Sequence, residues 1–415
     1  MEERIITHAQ PLAWLNNGVL AKHMGSYQAY LEERRYAPAT RQIYLSCIAH
    51  LAHWMASAGL SARQIGEAAI KRFLAEHLPR CGCPRPVRRV HKDNRAALRL
   101  FLKALREGRQ IKPREASDHI SRELCRFDHF MSEVRGLAAS TRRMRLGLIG
   151  RFLRDQFGSK PIFVRQIKPA DLRQFMFVRH QASSAGALSP IANALRGYIQ
   201  FRATLGDPVQ HLAVAVPTVA NRRLSALPRV LSEADILRLL RSIDQSAPSG
   251  KRAYAMARCL IDLGLRVQDV VRLHLEDIDW HNGTIRLAAN KSRRTDVLPL
   301  PAETGRAIAT YLKTERPVTN NRAVFVRHVA PYDKPIGPGV VRDVVIAAFR
   351  RCGWSHYHVH ILRHSTASRL LAAGTPLKEI ADILRHRSLD TTAIYTKVDT
   401  NRLAAVAMTW PGRAA

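Results

Sequence analysis

Acidic residues are scarce in this chain. Asp and Glu number 33 against 66 Lys and Arg in 415 residues, giving a net charge of +33 and a pI near 11.0. The basic excess is spread along the whole sequence. A surface this positive repels itself until a polyanion neutralises it, so nucleic acid is the expected partner. A membrane surface is the lesser alternative, and no basic amphipathic segment stands out for that role. Cysteine is scarce too: six residues in a chain of this size make no disulfide scaffold and read as reduced, cytosolic thiols. Long apolar runs are missing, which argues against a bilayer span. The start, Met1-Glu2-Glu3-Arg4-Ile5-Ile6, is acidic and leads into no apolar run, so no secretory leader is expected. The predicted location is cytoplasmic, at the nucleoid when DNA is bound. Apolar side chains are plentiful, at 46% of residues, enough for two or three domains with real cores.

The first half contains what reads as one helical unit used twice. One copy passes through Tyr36-Ala37-Pro38-Ala39-Thr40-Arg41 into an apolar-periodic stretch from Ile43 to Met55. The other passes through Leu137-Ala138-Ala139-Ser140-Thr141-Arg142 into Leu146 to Phe157. A matching helix follows each, and an amphipathic helix closes each, around Ala96 to Leu105 and Ile191 to Leu205. Thr40 and Thr141 sit where N-caps are expected. This predicts a helical domain over 1–115, a second over 116–205 and a proline-spaced linker over 206–228. Beyond it, Leu231-Ser232-Glu233-Ala234-Asp235 opens a capped helix. Gly264 stops another, and Thr284–Leu287 with Asp296–Leu300 predict a hairpin. Gly374 ends a later helix, and Pro376 is expected at the first position of the next. The expected class is mostly α with a small β-sheet: an α+β domain over 229–399, preceded by helical nucleic-acid-binding domains and followed by a tail, 400–415. Leu403, Val406 and Met408 of that tail could dock on a neighbouring protomer.

Six basic or phenolic residues in this half combine into a chemistry. They are Arg266 in Gly264-Leu265-Arg266-Val267, Lys291 at the hairpin tip, His360 and Arg363 in His360-Ile361-Leu362-Arg363-His364, His386, and Tyr395 nine positions later. Each alone has an ordinary structural explanation. Together, two arginines, a lysine and two histidines can hold and polarise one phosphodiester that a tyrosine attacks. Guanidiniums clamp the non-bridging oxygens bidentately. A phenol with a pKa near 10 needs a base or a strongly positive site. His360 is the expected proton acceptor, Lys291 the donor to the leaving 5′-oxygen, and His386 a hydrogen-bond donor to the phosphate. No acidic triad with metal-ligand spacing stands out, so no catalytic metal and no cofactor are expected.

In this order and spacing the residues resemble the tyrosine recombinases of the phage-integrase family. Gly264-Leu265-Arg266-Val267 with Leu273 to Asp279 is similar to the family's first arginine box. His360-Ile361-Leu362-Arg363-His364 is similar to its His-x-x-Arg box. Ile383 to Ser388 with Thr391 to Tyr395 is similar to its last histidine and nucleophile segment. The resemblance covers Leu231 to Asn401, and more loosely 117–205. It implies the catalytic set Arg266, Lys291, His360, Arg363, His386 and Tyr395, with Asp269 as an electrostatic support behind them. One departure is Arg385, where the family commonly has glycine.

The resemblance also implies double-stranded DNA as partner, strand exchange through a 3′-phosphotyrosyl bond, a homotetramer on synapsed sites, a mobile-element role and accessory recombination proteins. A type IB topoisomerase with the same chemistry and an inactive DNA-site-binding relative stay as alternatives. Separately, His77, Cys81, Cys83 and His91 could hold zinc. However, Cys-x-Cys is tighter than the usual spacing, and a basic loop touching DNA is the favoured reading.

Overall fold

A computed structural model describes residues 9–111, 118–181, 188–218, 229–287, 296–386 and 390–395. The chain divides into two compact units, one made of residues up to 111 together with those from 224 onward, the other of 112–223. The first helical region is therefore grouped with the C-terminal half, where the sequence reading treats it as a domain of its own.

That first region holds α1 (Ala9–Asn16), α2 (Met24–Glu33), α3 (Pro38–Ser57), α4 (Glu67–Arg72) and α5 (His91–Glu107). Leu45, Ile48, Ala49, Ala52 and Met55 recur at helical spacing on α3 and are buried against Leu98, Phe101 and Leu105 of α5. The second unit holds α6 (His119–His129), α7 (Ala139–Phe157), α8 (Pro169–Gln181), α9 (Leu188–Thr204) and α10 (Gln210–Val214). Its core is Phe127, Ile149, Phe152, Leu195 and Tyr198 with their neighbours. The buried Glu123 carboxylate is satisfied by the Tyr198 hydroxyl at 2.8 Å and by Arg202 at 2.9 Å. From α2 and from α6 onward the two regions run in a similar order: helix, tight turn, long helix, a 3₁₀ turn (Ala62–Gln64 or Val164–Gln166), then two helices.

Thr40 and Thr141 are not caps. Ala37 and Ala138 hold the N-cap positions, and each threonine lies three residues into its helix. Pro38 supplies a fixed φ at the first position of α3, which makes a side-chain cap unnecessary for starting that turn. The proline-spaced stretch is partly packed. Val209, Leu212 and Val216 around α10 are buried in the second core, because three apolar side chains three to seven residues apart can pay for ordering a short helix. Residues 219–228 and the tail 400–415 lie outside the described residues.

The remaining elements are α11 (Glu233–Arg241), α12 (Gly250–Asp262), α13 (Val267–Arg272), β1 (Ile278–Asp279), β2 (Thr284–Leu287), β3 (Asp296–Pro299), α14 (Ala302–Thr314), α15 (Pro338–Arg351), α16 (His360–Ala372), α17 (Leu377–Ile383) and α18 (Asp390–Ala393). Ser232 caps α11 as expected: its hydroxyl accepts the Asp235 N–H at 3.1 Å. Pro376 is the N-cap of α17 and not its first helical residue. The antiparallel hairpin pairs Ile285 with Leu298 and Arg286 with Val297, and β1 adds a third, unanticipated strand. Two residues of β1 give too little alternation to read from sequence. Ile285 and Leu287 point into the core while Arg286 is exposed, the period of two that fixes register. No helix among the described residues is long and apolar enough to cross a membrane.

His328 packs face to face on Tyr311, with centroids 5.8 Å apart, and its Nδ1 lies 2.8 Å from the Ser249 hydroxyl. Burial, with the Arg252 charge nearby, pushes its pKa down to about 4. The unfolded chain therefore binds this proton more tightly than the folded one. Stability is expected to fall as pH drops from about 6.5 toward about 4. Guanidinium unfolding midpoints at several pH values in that window should decline, less steeply in His328→Gln. Equal slopes in both proteins would contradict this.

Candidate active site

Gly264 begins the site. After α12 ends, the chain must turn back sharply, and Gly264 does so at φ +58. A Cβ there would stand 2.7 Å from Leu384 Cδ2 and 3.3 Å from Thr366 Cγ2, so glycine is demanded by conformation and by space alike. Two residues on, Arg266 is the N-cap of α13, and its backbone N–H donates to Asp269 Oδ2 at 3.0 Å. The Arg266 guanidinium donates to the Arg385 carbonyl at 3.0 Å.

Arg363 lies one turn inside α16 and is buried. Its Nη1 donates to the Gly264 carbonyl at 2.6 Å, and its Nη2 donates to the Leu384 carbonyl. Both guanidiniums are thus held by backbone carbonyls on the turn at 264 and at the end of α17, so neither depends on a flexible side chain for its aim. Burial, with Arg266 close by, lowers the Arg363 pKa to about 9, still well above neutrality.

Arg385, the departure from the family pattern, has φ +54. That left-handed conformation is one that glycine adopts most readily. A side chain in it costs roughly 1–2 kcal/mol. Here the side chain is buried, with Nε donating to Asp296 Oδ2 at 2.5 Å and Nη1 3.6 Å from Asp269 Oδ1. These pairs offset the strain, and they tie the start of β3 and the α13 carboxylate to the turn that carries His386. Asp269 therefore serves Arg266 through its backbone and Arg385 through its charge.

Tyr395 is 1% exposed and packs on Ala367, Leu371, Ile380 and Leu384. Its hydroxyl is 2.9 Å from His364 Nδ1, and its ring lies 6.4 Å from that of His386 at an interplanar angle of 15°. Burial raises its pKa, while Arg363 and Arg266 pull the other way. His386 Nδ1 meets the buried Thr392 hydroxyl at 2.7 Å. His360 opens α16 with an exposed edge, and its pKa is lowered by desolvation on its packed side and then by Arg363 and Arg266. His364 is lowered by burial, then by His360 and Arg363. At neutral pH both rings therefore carry a lone pair.

Arg266, His360, Arg363, His386 and Tyr395 converge on one place. Lys291 lies outside the described residues, beyond the hairpin strands that lead to it. His364, in the same His360–His364 run, is a further site residue to which the sequence pattern assigns no role. It stands four residues after His360, on the same helix face, and that spacing was the available signal. A surface cleft of about 810 Å³, lined by Ser249, Arg252, Glu315 and His328 among others, contains none of these residues.

Residues 229–402 match the phage integrase family. The chain is similar to a Sinorhizobium fredii protein named as an integrase/recombinase, y4rA, at 33% identity over 96% of each chain. It is also similar to tyrosine recombinase XerD of Listeria monocytogenes, at 29% identity over 68% of this chain and 95% of that one. Among solved structures, XerH site-specific recombinase bound to palindromic difH substrate aligns with TM-score 0.52 at 18% identity, covering 72% of this chain and 98% of that one. A lambda integrase dimer bound to a COC′ core site aligns with TM-score 0.50 at 16% identity, covering 65% and 95%. The structural likenesses speak for the fold alone. The near full-length similarity, with the matched catalytic region, speaks for the family: the chain belongs to the tyrosine recombinases of the phage-integrase family, DNA-binding enzymes that cleave and rejoin strands in site-specific recombination.

Proposed function

We propose that Tyr395 attacks a DNA phosphodiester to give a 3′-phosphotyrosyl bond, in the integration or excision of a mobile element. The observation that carries this reading is the seating of the Tyr395 hydroxyl on His364 beside Arg363 and Arg266. The phenolic oxygen forms a bond to phosphorus, and the bond from phosphorus to the 5′-oxygen breaks. The phenolic proton passes to the paired histidines of α16: His364 holds the hydroxyl in the packed arrangement, and His360 is the acceptor when phosphate is present. Lys291 protonates the leaving 5′-oxygen. Arg266 and Arg363 stabilise charge on the non-bridging oxygens, and His386 hydrogen-bonds the phosphate. Asp269 supports this set through Arg266 and Arg385. The new bond keeps the phosphodiester's energy, so attack by a free 5′-hydroxyl rejoins the strand without ATP.

A fully buried phenol cannot reach a DNA phosphate. The 390–395 segment must shift on binding, giving up the Tyr395–His364 and Thr392–His386 hydrogen bonds and the packing of Tyr395 on Ala367, Leu371, Ile380 and Leu384. Exchange between two duplexes needs four cleavages, so a homotetramer on paired sites is the working unit, with accessory proteins setting direction. The relatives named as integrases support the mobile-element role. Suicide substrates carrying a candidate element end, nicked near the cleavage point, should trap a denaturant-resistant adduct whose modified peptide contains Tyr395. An adduct elsewhere in the chain would overturn the assignment. Supercoiled plasmids with and without paired ends separate exchange from the topoisomerase alternative, which relaxes both equally, and from an inactive site-binding protein, which changes neither.

A further inference from the structure

We propose that the first helical region contains a structural zinc site made by His50, His77, Cys81 and Cys83. His50 is a fully buried residue in the middle of α3. His77 ends the π turn Phe73–His77 that prolongs α4, and the cysteines open the loop to α5. His50 Nε2 is 3.2 Å from His77 Nε2 and 3.2 Å from Cys81 Sγ, while Cys83 Sγ is 3.4 Å from His77 Nε2. All four ligand atoms lie within 4.8 Å of one another. A tetrahedral ion with bonds of about 2.0–2.1 Å to nitrogen and about 2.3 Å to sulfur needs ligand-to-ligand edges of roughly 3.3–3.8 Å. The three separations of 3.2–3.4 Å stand at about that value, and the remaining pairs lie within 4.8 Å.

The surroundings fit an ion better than a hydrogen-bonded cluster. His50 Nδ1 lies 3.1 Å from the Arg88 carbonyl, which can only accept, so Nδ1 carries the proton and Nε2 presents a lone pair. If the thiols donate to the two rings, the Nε2 lone pairs of His50 and His77 face each other at 3.2 Å with nothing between them. A cation at the centre removes that repulsion. Binding displaces the two thiol protons, and two thiolates then neutralise a divalent ion, which suits a half-buried position. Two sulfurs and two imidazoles select zinc among common divalent ions, and four protein ligands leave no open position, so the site is structural and not catalytic.

Its effect follows from where the ligands sit. The backbone from Cys81 to Val90 forms no helix or strand, and its far end is tied to α5 by Asn94, whose Nδ2 donates to the Arg88 carbonyl at 2.8 Å and the Val90 carbonyl at 3.0 Å. Zinc would pin this loop, with Arg85 and Arg89 on it, to α3 and to the end of α4. His91, considered as a ligand from the sequence, begins α5 with its side chain exposed and is not in the cluster. His50 stands in its place. The helix brings His50 there from well upstream, at a spacing no local motif records.

The test uses tag-free full-length protein purified under reducing conditions without chelator. Elemental analysis should find about one zinc per chain, retained in His91→Ala and lost from the Cys81→Ser/Cys83→Ser double variant. If the double variant does not fold, the wild type decides. Removing zinc with a chelator and adding Co²⁺ should give one equivalent of a tetrahedral spectrum with thiolate-to-cobalt charge transfer. Wild-type protein that holds no zinc and takes up no Co²⁺ in this form, or a double variant that keeps a full equivalent, would overturn the proposal. Neither readout depends on DNA cleavage.

Discussion

Tyr395→Phe is expected to bind DNA as the wild type does and to form no covalent adduct on any suicide substrate. The substitution keeps the ring among Ala367, Leu371, Ile380 and Leu384 and removes only the hydroxyl that meets His364 at 2.9 Å. Losing that hydrogen bond costs about 1 kcal/mol of stability, small against the several kcal/mol of a folded domain. Chemistry, by contrast, loses its nucleophile altogether, because a phenyl ring has no lone pair to offer phosphorus. Gel shift and denaturing gels on the same nicked duplex separate the two effects. An adduct formed by Tyr395→Phe at the wild-type rate would sink the assignment. Residual adduct moving to a neighbouring hydroxyl would show as a different labelled peptide.

Arg266→Ala and Arg363→Lys should each slow cleavage by about 10²–10³-fold, equivalent to roughly 3–4 kcal/mol, if each arginine contacts the transition state as an oxyanion donor does. Affinity should change only a few-fold, because binding is shared among many of the chain's 66 Lys and Arg. Lysine is the informative replacement at 363. It keeps a cation in the buried position, but one ammonium cannot hold the Gly264 and Leu384 carbonyls and still present a planar fork to phosphate. Alanine there would also leave both carbonyls without their donor and open a cavity, so lost activity could simply reflect lost folding. Single-turnover adduct rates, binding constants and melting temperatures on the same preparations resolve this. Affinity falling in step with cleavage would mean that these arginines only position the backbone.

Much of this molecule could be read from the chain alone. The +33 charge, the helical periodicities, the capped start at Ser232 and the hairpin around β2 and β3 are local or compositional signals, and a side-chain pattern repeating every two or about 3.6 residues survives any tertiary arrangement. The residue types proposed for the chemistry come from the same kind of reading: a phosphodiester demands guanidiniums, imidazoles and a nucleophile wherever the fold puts them. Tertiary structure decided the rest, through contacts between residues far apart in sequence. Arg363 is aimed by carbonyls at 264 and 384. Arg385 takes a left-handed conformation because Asp296 and Asp269 are there to pair with it. His364, one turn along α16 from His360, is the histidine that meets the Tyr395 hydroxyl. His50 reaches Cys81 from inside a helix whose pattern reads as plain core. Sequence spacing reports neighbours along one element. Which elements then lie side by side is fixed by burying their apolar faces together, and that sum over the whole chain leaves no local mark.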